Sequence, residues 1–124
     1  MSDRVLLRDL FGVCTVIVIA DGEVNEAETN GLPAIVSELG GVELGPADVA
    51  ALTGEMYADI GRAGSTHAYL QEMSKRHDVV EKHVLLRAAS RAMRLDGSVD
   101  PRELGRLREV AAMFGVDPEE IEGT

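Results

Sequence analysis

Residues 20–28 (ADGEVNEAE) and residues 95–103 (LDGSVDPRE) are two copies of one acidic motif, and this repeat decides the fold. Both copies reduce to Asp-Gly-x-Val-(Asn/Asp)-x-x-Glu. The correspondence continues downstream, where Leu32 matches Leu107 at the same spacing from the motif. The repeat therefore indicates that one supersecondary unit is used twice, related by a pseudo-twofold.

The segment before the second copy settles the structure of the segment before the first. Residues 16–19 (VIVI) are β-branched and by themselves favour a buried strand. Residues 85–95 (LLRAASRAMRL) occupy the equivalent place in the second copy and have the composition and spacing of a helix. If the two copies share a fold, residues 4–20 form a central helix that is buried on most sides.

Glycine, proline and capping residues divide the rest of the chain into further helices. Gly40-Gly41 ends one helix, Gly45-Pro46 begins another, and Asp78 with Glu81 forms a capping box. The predicted helices after the first cover residues 26–39, 46–62, 66–76, 79–95 and 101–114, followed by a short turn from residue 118. The sequence predicts an all-α protein, a single domain over residues 1–124 with about seven helices and no sheet.

Charge excludes several classes of partner. The net charge of −10 argues against nucleic acid or an anionic membrane surface, since both require a basic footprint. No Lys or Arg occurs between Arg8 and Arg62, whereas nine of the twelve basic residues lie between Lys75 and Arg108. We therefore expect an acidic first half and a mixed or basic second half.

The cysteine content and the apolar runs indicate a cytoplasmic protein. Cys14 is the single cysteine, so there is no disulfide framework. The apolar run over residues 10–20 is shorter than the roughly 18 residues that a membrane span needs. The segment before it has no net positive charge, which argues against a signal peptide.

The acidic motif also matches the second half of an EF-hand calcium loop. The first half is missing, because Ile17 and Ile19 in one copy, and Ala92 and Arg94 in the other, stand where carboxylates are needed. The remaining side chains are hard oxygen donors suited to Ca²⁺, Mg²⁺ or Mn²⁺, with Ca²⁺ or Mg²⁺ preferred. The candidate metal ligands are Asp21, Asn25 and Glu28 in the first loop, and Asp96, Asp100 and Glu103 in the second.

Helix capping explains most of the same motif without any ligand. The glycine can end one helix in a left-handed conformation, the Asn or Asp can cap the next, and the final Glu can complete a capping box. Capping does not explain Asp21 and Asp96, which follow helix C-termini where the macrodipole disfavours negative charge. The cation site and the capping function both remain open at this point.

Catalytic patterns are weak. His67, His77 and His83 share no metal-ligand spacing, and no glycine-rich phosphate loop is present. We therefore expect a protein without enzymatic activity.

Three arginines share one face of a predicted helix, Arg87, Arg91 and Arg94 at i, i+4 and i+7. This spacing is typical of a solvated face with ion pairs inside the chain. The alternative is a docking patch for an acidic partner or a phosphate.

Three segments together carry a resemblance to a known family: residues 14–28 with Cys-x5-Ala-Asp-Gly-x5-Glu, residues 85–103, and residues 110–120 (VAAMFGVDPEE). Over nearly the whole chain the sequence resembles the tellurite-resistance protein TerB family. The resemblance implies about seven helices with internal pseudo-symmetry. It also implies an acidic surface for a divalent cation at positions matching Asp21, Glu28, Asp96 and Glu103.

The resemblance further implies a role in tellurite and general stress resistance. The partners it implies are a TerC-like membrane protein and TerD-like calcium-binding proteins. Our leading hypothesis is a non-enzymatic TerB-like module that binds a divalent cation through the two acidic loops and mediates protein interactions. The alternative is a structural protein-protein interaction domain in which the acidic motifs act only as helix caps.

Overall fold

The computed structural model describes residues 3–18, 26–95, 97 and 99–122, with side chains described at 4–18, 30–95, 97 and 99–121. Every regular element within these ranges is a helix, and there are seven of them, so the predicted all-α fold is confirmed. The helices are α1 (Asp3–Val18), α2 (Glu26–Gly40), α3 (Pro46–Ala63), α4 (Thr66–Arg76), α5 (Val79–Met93), α6 (Pro101–Phe114) and α7 (Pro118–Glu122).

Helix α1 is the centre of the molecule. Residues 9–18 are all buried, and the helix packs against α2, α3, α4, α5 and α6. The β-branched run from Val16 to Val18 is helical because the surrounding helices bury it on all sides, which overrides its local preference for a strand. The prediction of a central helix is confirmed as far as Val18, and residues 19 and 20 lie outside the described ranges.

The repeat is visible as two helix pairs, α1 with α2 and α5 with α6. Helices α1 and α5 form the most extensive contact between elements, so each pair buries its apolar face against the other. The equivalent residues Leu32 and Leu107 are both buried, at 9% and 0% exposure. The sequence repeat therefore corresponds to a repeated pair of helices around a shared apolar core.

Local sequence signals set most helix ends. Asp78 Oδ1 accepts a hydrogen bond from the Glu81 N–H at 2.8 Å, and Glu81 Oε1 accepts one from the Asp78 N–H at 3.2 Å. This capping box begins α5 as predicted. Helix α5 ends at Met93, two residues before the predicted end, because the Leu95 N–H bonds to the Ala92 carbonyl at 3.3 Å in a tighter turn.

Two glycines with left-handed backbone close the second helix pair. Gly97 has a φ of +85° in the loop between α5 and α6, and Gly115 has a φ of +73° directly after α6. An L side chain is strained in this conformation, so glycine is the residue that permits both turns.

None of the helices in the described ranges combines the length and the apolar character that crossing a bilayer requires.

Candidate functional site

The second acidic loop is described at Asp100, which begins α6. The Asp100 carboxylate accepts a hydrogen bond from the Arg102 N–H at 2.7 Å, so it acts as the N-cap of the helix. The Arg102 guanidinium lies 3.2 Å from Asp100 Oδ2. The side-chain hydrogen bond from Arg102, with the backbone bond second, lowers the pKa of Asp100 below its ordinary value. Asp100 is therefore ionised and already serves the capping function that the sequence suggested.

Glu103, the last carboxylate of the motif, is buried in the first turn of α6. Its exposure is 3%, and no other glutamate is buried among the side chains that the structure describes. Burying a carboxylate is costly unless neighbouring groups stabilise its charge, and the role of Glu103 as a metal ligand stays a prediction.

Four of the six predicted ligands cannot be placed. Asp21, Asn25 and Asp96 lie outside the described residues, and Glu28 belongs to α2, where only the backbone is described. Among the described side chains, no cluster of three His, Cys, Asp or Glu could hold a metal ion. The predicted cation site therefore stays a prediction.

A buried ionic network, which we call the Asp9 network, is centred on one carboxylate of α1. Asp9 is wholly buried. Arg76 Nε lies 2.8 Å from Asp9 Oδ2, and Arg76 Nη2 lies 3.0 Å from Asp9 Oδ1. His77 Nε2 lies 2.7 Å from Asp9 Oδ2, and the Tyr69 hydroxyl donates to Asp9 Oδ1 at 3.3 Å. Three side chains from α4 and its C-terminal end thus hold one carboxylate of α1.

The Asp9 network extends to α3 through Asp59. Arg76 Nη2 bonds to Asp59 Oδ2 at 2.9 Å, and Arg62 Nη2 bonds to Asp59 Oδ1 at 2.7 Å. The Arg8 guanidinium is an ion-pair neighbour of both aspartates, at 3.7 Å from Asp9 and 3.8 Å from Asp59. The two carboxylates and three guanidiniums therefore link α1, α3 and α4.

Hydrogen bonding determines the charge of the central residue. Burial by itself would raise the pKa of Asp9, but the hydrogen bonds from His77 and Arg76 outweigh burial and lower it. Burial and the negative charge of Asp9 both raise the pKa of Tyr69, and the hydrogen bond to Asp9 raises the pKa of Arg76. The network thus contains a charged Asp9, a charged Arg76 and a neutral Tyr69 at neutral pH.

This arrangement joins helices and offers no reactive group to a substrate. Asp9 and Tyr69 are both 0% exposed. His77 has its second ring nitrogen 3.3 Å from Glu81 Oε1, so the imidazole lies between two carboxylates instead of facing an open cleft. We interpret the Asp9 network as a clamp that fixes the packing of α3, α4 and α5 against α1.

Sequence analysis did not identify the Asp9 network, although one signal was available. An aspartate in a helix predicted to be buried on most sides requires a partner, because ionised side chains are rarely buried unpaired. The partners could not be named, since Asp59 is 50 positions and His77 is 68 positions away along the chain.

The row of arginines on α5 is mostly engaged within the chain. Arg91 Nη1 lies 3.1 Å from Glu38 Oε2 of α2, and Arg94 donates to the Ser90 carbonyl at 3.1 Å. Arg87 is half-buried. These contacts favour the solvated, internally paired face over a docking patch for an acidic partner.

An apolar groove lies over α1 between α2 and α3. Helices α2 and α3 both pack against α1 but hardly contact each other, which leaves a groove of about 190 Å³ between them. Tyr57 stands at the groove with 57% of its surface exposed. The lining residues are Phe11, Thr15 and Val18 of α1, Leu32 and Pro33 of α2, and Val49, Thr53, Met56 and Tyr57 of α3.

Comparison with known families agrees with the repeat and the fold. A family model described as "Tellurite resistance protein TerB" matches residues 7–124. The chain belongs to the TerB family. Neither the curated proteins nor the solved structures contain a significant match to it.

The match to the TerB family covers nearly the whole chain. The match includes both acidic motifs and all helices except the start of α1. It supports a module of the tellurite-resistance type, in a family of domains that are in general non-enzymatic. The Asp9 network and the apolar groove both lie within the matched residues, so they belong to the TerB-family domain of this chain.

Proposed function

We propose that this chain is a non-enzymatic tellurite-resistance module that binds a divalent cation through its two acidic loops and contacts protein partners in a stress response. The proposal rests mainly on one relationship between the motif and the helices. Helix α5 ends at Met93, and Asp96 follows in the sequence immediately before the left-handed turn at Gly97. Negative charge at that end of a helix is unfavourable, and the sequence places an Asp there twice.

A bound cation would make the negative charge of these aspartates favourable at the C-terminal end of a helix. Carboxylates, an amide oxygen and backbone carbonyls are the donors that Ca²⁺ and Mg²⁺ prefer. The donors would be Asp21, Asn25 and Glu28 in the first loop, and Asp96, Asp100 and Glu103 in the second. The burial of Glu103 supports the proposal, because this carboxylate is held in one place instead of moving freely in water.

A second candidate function has its own support in the geometry of Asp100. Its carboxylate caps α6 and pairs with Arg102, so it has a structural role that needs no metal. On this alternative, the domain is an interaction module whose acidic motifs are only helix caps. The two candidates differ in whether ions stabilise the fold.

The proposed partners are proteins, and the proposed location is the cytoplasm. A TerC-like membrane protein and TerD-like proteins are the candidates that the family resemblance suggests. The charge of −10 supports a protein partner over nucleic acid, because phosphate backbones would be repelled.

Thermal unfolding of chelator-stripped protein tests the cation proposal. The parent, the double variant Asp21→Asn/Asp96→Asn and the control Glu43→Gln/Glu109→Gln are each heated with EDTA or with millimolar Ca²⁺, Mg²⁺ or Mn²⁺. The control removes two exposed carboxylates elsewhere and so matches the change in net charge. A ligand at about 100 times its dissociation constant adds roughly 2.7 kcal/mol, which is easily measured.

We expect an ion-dependent rise in Tm for the parent and the control that the double variant lacks. No shift with any ion in the parent would contradict the cation site and leave the capped interaction module. An equal shift in all three proteins would place the ion elsewhere on the surface.

A further inference from the structure

The apolar groove between α2 and α3 has the properties of a docking site. Its floor is formed by buried side chains of α1, among them Phe11 at 3% exposure, while its rim carries Tyr57 at 57%. Of the four aromatic residues in the chain, Phe11, Tyr69 and Phe114 are buried and Tyr57 alone is exposed. Tyrosine is enriched at protein interfaces, where its ring supplies apolar contact and its hydroxyl a hydrogen bond.

The groove is large enough for an anchoring side chain. Its volume is about 190 Å³, and an apolar cavity of roughly 150 Å³ already accommodates benzene. One Leu, Met or Phe side chain of a partner therefore fits inside. Thr15, Thr53 and Tyr57 add hydroxyl groups to a mainly apolar lining.

Charge identifies the kind of partner. Residues 3–63, the segment that includes the three helices around the groove, contain eleven carboxylates and three arginines in sequence. All three arginines pair inside the chain, Arg4 with Glu55, Arg8 with Asp9 and Asp59, and Arg62 with Asp59. Even with Arg76 paired to Asp9 and Asp59, and Arg91 paired to Glu38, this segment keeps an excess of carboxylates that attracts a cationic partner.

We propose that this groove binds a basic amphipathic helix of a partner protein, with one large apolar side chain inserted between Leu32 and Tyr57. Such helices bind apolar grooves through anchors at i, i+3, i+4 and i+7. Lysines or arginines on the flanks of the helix face the acidic surface. A second copy of this chain is a poorer occupant, because a twofold contact would bring two negative halves together.

Fluorescence anisotropy with a synthetic peptide tests this docking site. The probe is a labelled Leu/Lys peptide of about 18 residues, or five helical turns, with leucines on one face. A Leu/Glu peptide with the same pattern tests the charge, and a scrambled Leu/Lys peptide tests the apolar stripe. Each titration is made in EDTA and in Ca²⁺, so a failure of the cation proposal does not affect the result.

Two variants change the groove in opposite ways. Tyr57→Ala removes the exposed aromatic ring at the rim of the groove, and Thr53→Trp fills the space where the partner side chain would lie. Val80→Ala is the matched control, since it truncates an apolar residue that is 71% exposed on α5, away from the groove. Circular dichroism verifies that each variant is folded.

We expect the Leu/Lys peptide to bind the parent and the Val80→Ala control equally, and to bind each groove variant roughly tenfold more weakly. The Leu/Glu peptide should not bind. Equal binding by the groove variants, or by the scrambled peptide, would overturn the proposal. Two further results would also overturn the proposal. If the fatty acid decanoate binds in the groove and the peptide does not, the groove belongs to a lipid. If the parent forms a homodimer that Tyr57→Ala dissociates, the groove belongs to a second copy of this chain.

Discussion

Arg76 donates two hydrogen bonds to Asp9, from Nε to Oδ2 at 2.8 Å and from Nη2 to Oδ1 at 3.0 Å. The two residues are 67 positions apart in the chain. The paired geometry fixes the guanidinium in the plane of the carboxylate. Because the same guanidinium also reaches Asp59 at 2.9 Å, one side chain of α4 holds both α1 and α3 in place. The Asp9 network is therefore a polar connection between helices whose buried contacts are otherwise mainly apolar.

Replacing Asp9 should destabilise the protein strongly. Asp9→Asn removes the buried carboxylate and leaves Arg76 and Arg8 with Asp59 as their remaining acidic partner, so we expect a loss of about 2–4 kcal/mol. This is below the usual value for a fully buried pair, since the Arg76 side chain is 27% exposed and partly solvated. Urea denaturation at pH 7 measures the loss. The control Glu55→Gln breaks the exposed pair with Arg4 and should change the stability little; an equally large effect there would contradict the special role of Asp9.

The contribution of Asp9 should disappear in acid. Its pKa is lowered in the folded protein, so its charge stabilises the fold above the ordinary Asp pKa of about 3.9 and is lost as the pH falls through the folded value. The difference in stability between the parent and Asp9→Asn should thus be largest near neutral pH and shrink below about pH 4. Denaturation curves between about pH 3 and pH 7, a range that includes the ordinary pKa of Asp, follow this difference. A difference that is constant with pH would mean that the variant acts through packing and not through charge.

Gly12 should not tolerate a side chain. A Cβ at this position would lie 1.9 Å from the Tyr69 hydroxyl, and the Asp9 network holds that ring in place. Gly12→Ala should therefore lower the free energy of unfolding by about 1–3 kcal/mol. Gly54→Ala in α3 is the matched control, because nothing lies within 4 Å of the new Cβ and alanine favours a helix by about 0.5–1 kcal/mol. Urea denaturation should give opposite signs for the two variants.

Cys14 should be inert in the native protein. It is 0% exposed, and burial raises the pKa of its thiol to about 12, so almost no thiolate is present at neutral pH. Ellman's reagent should react only as fast as the protein unfolds, and quickly in denaturing urea. Rapid modification without denaturant would show that the core around α1 opens readily.

Asp100 allows the capping and cation functions to be separated. Asp100→Ser keeps a capping oxygen but removes the carboxylate, whereas Asp100→Ala removes both. In EDTA we expect Tm to fall by about 3–6 °C for the Ala variant and to change little for the Ser variant. With Ca²⁺, the parent should gain more than either variant. If the Ser variant gains as much as the parent, Asp100 is a cap and not a ligand.

Much of this fold was predictable because its signals are local. The Asp78–Glu81 box, the start at Pro101 and the end at Gly115 each depend on residues within a few positions of one another. The Asp-Gly repeat supplied the one inference that local preference would have missed, since it identified residues 4–20 as a helix despite their β-branched run, and the structure confirms this helix as far as Val18. The early end of α5 at Met93 was not predicted, because a tightened last turn leaves little trace in the composition.

The residues of the candidate sites were likewise predictable only where their sequence signals are local. Asp100 and Glu103 were named from their spacing, and Asp100 was predicted as the N-cap that it is. The Asp9 network and the groove were not predicted, since they depend on helix packing.

By itself the sequence determined the seven helices, their limits to within about two residues, the internal repeat and the TerB family. Hydrogen bonds and apolar spacing along a helix involve neighbours in the chain, so the order of residues encodes them directly. Only the tertiary structure decided that Asp9 meets Arg76 and His77, and that α2 and α3 leave α1 open between them. Those residues are tens of positions apart, and their distances depend on how whole helices pack.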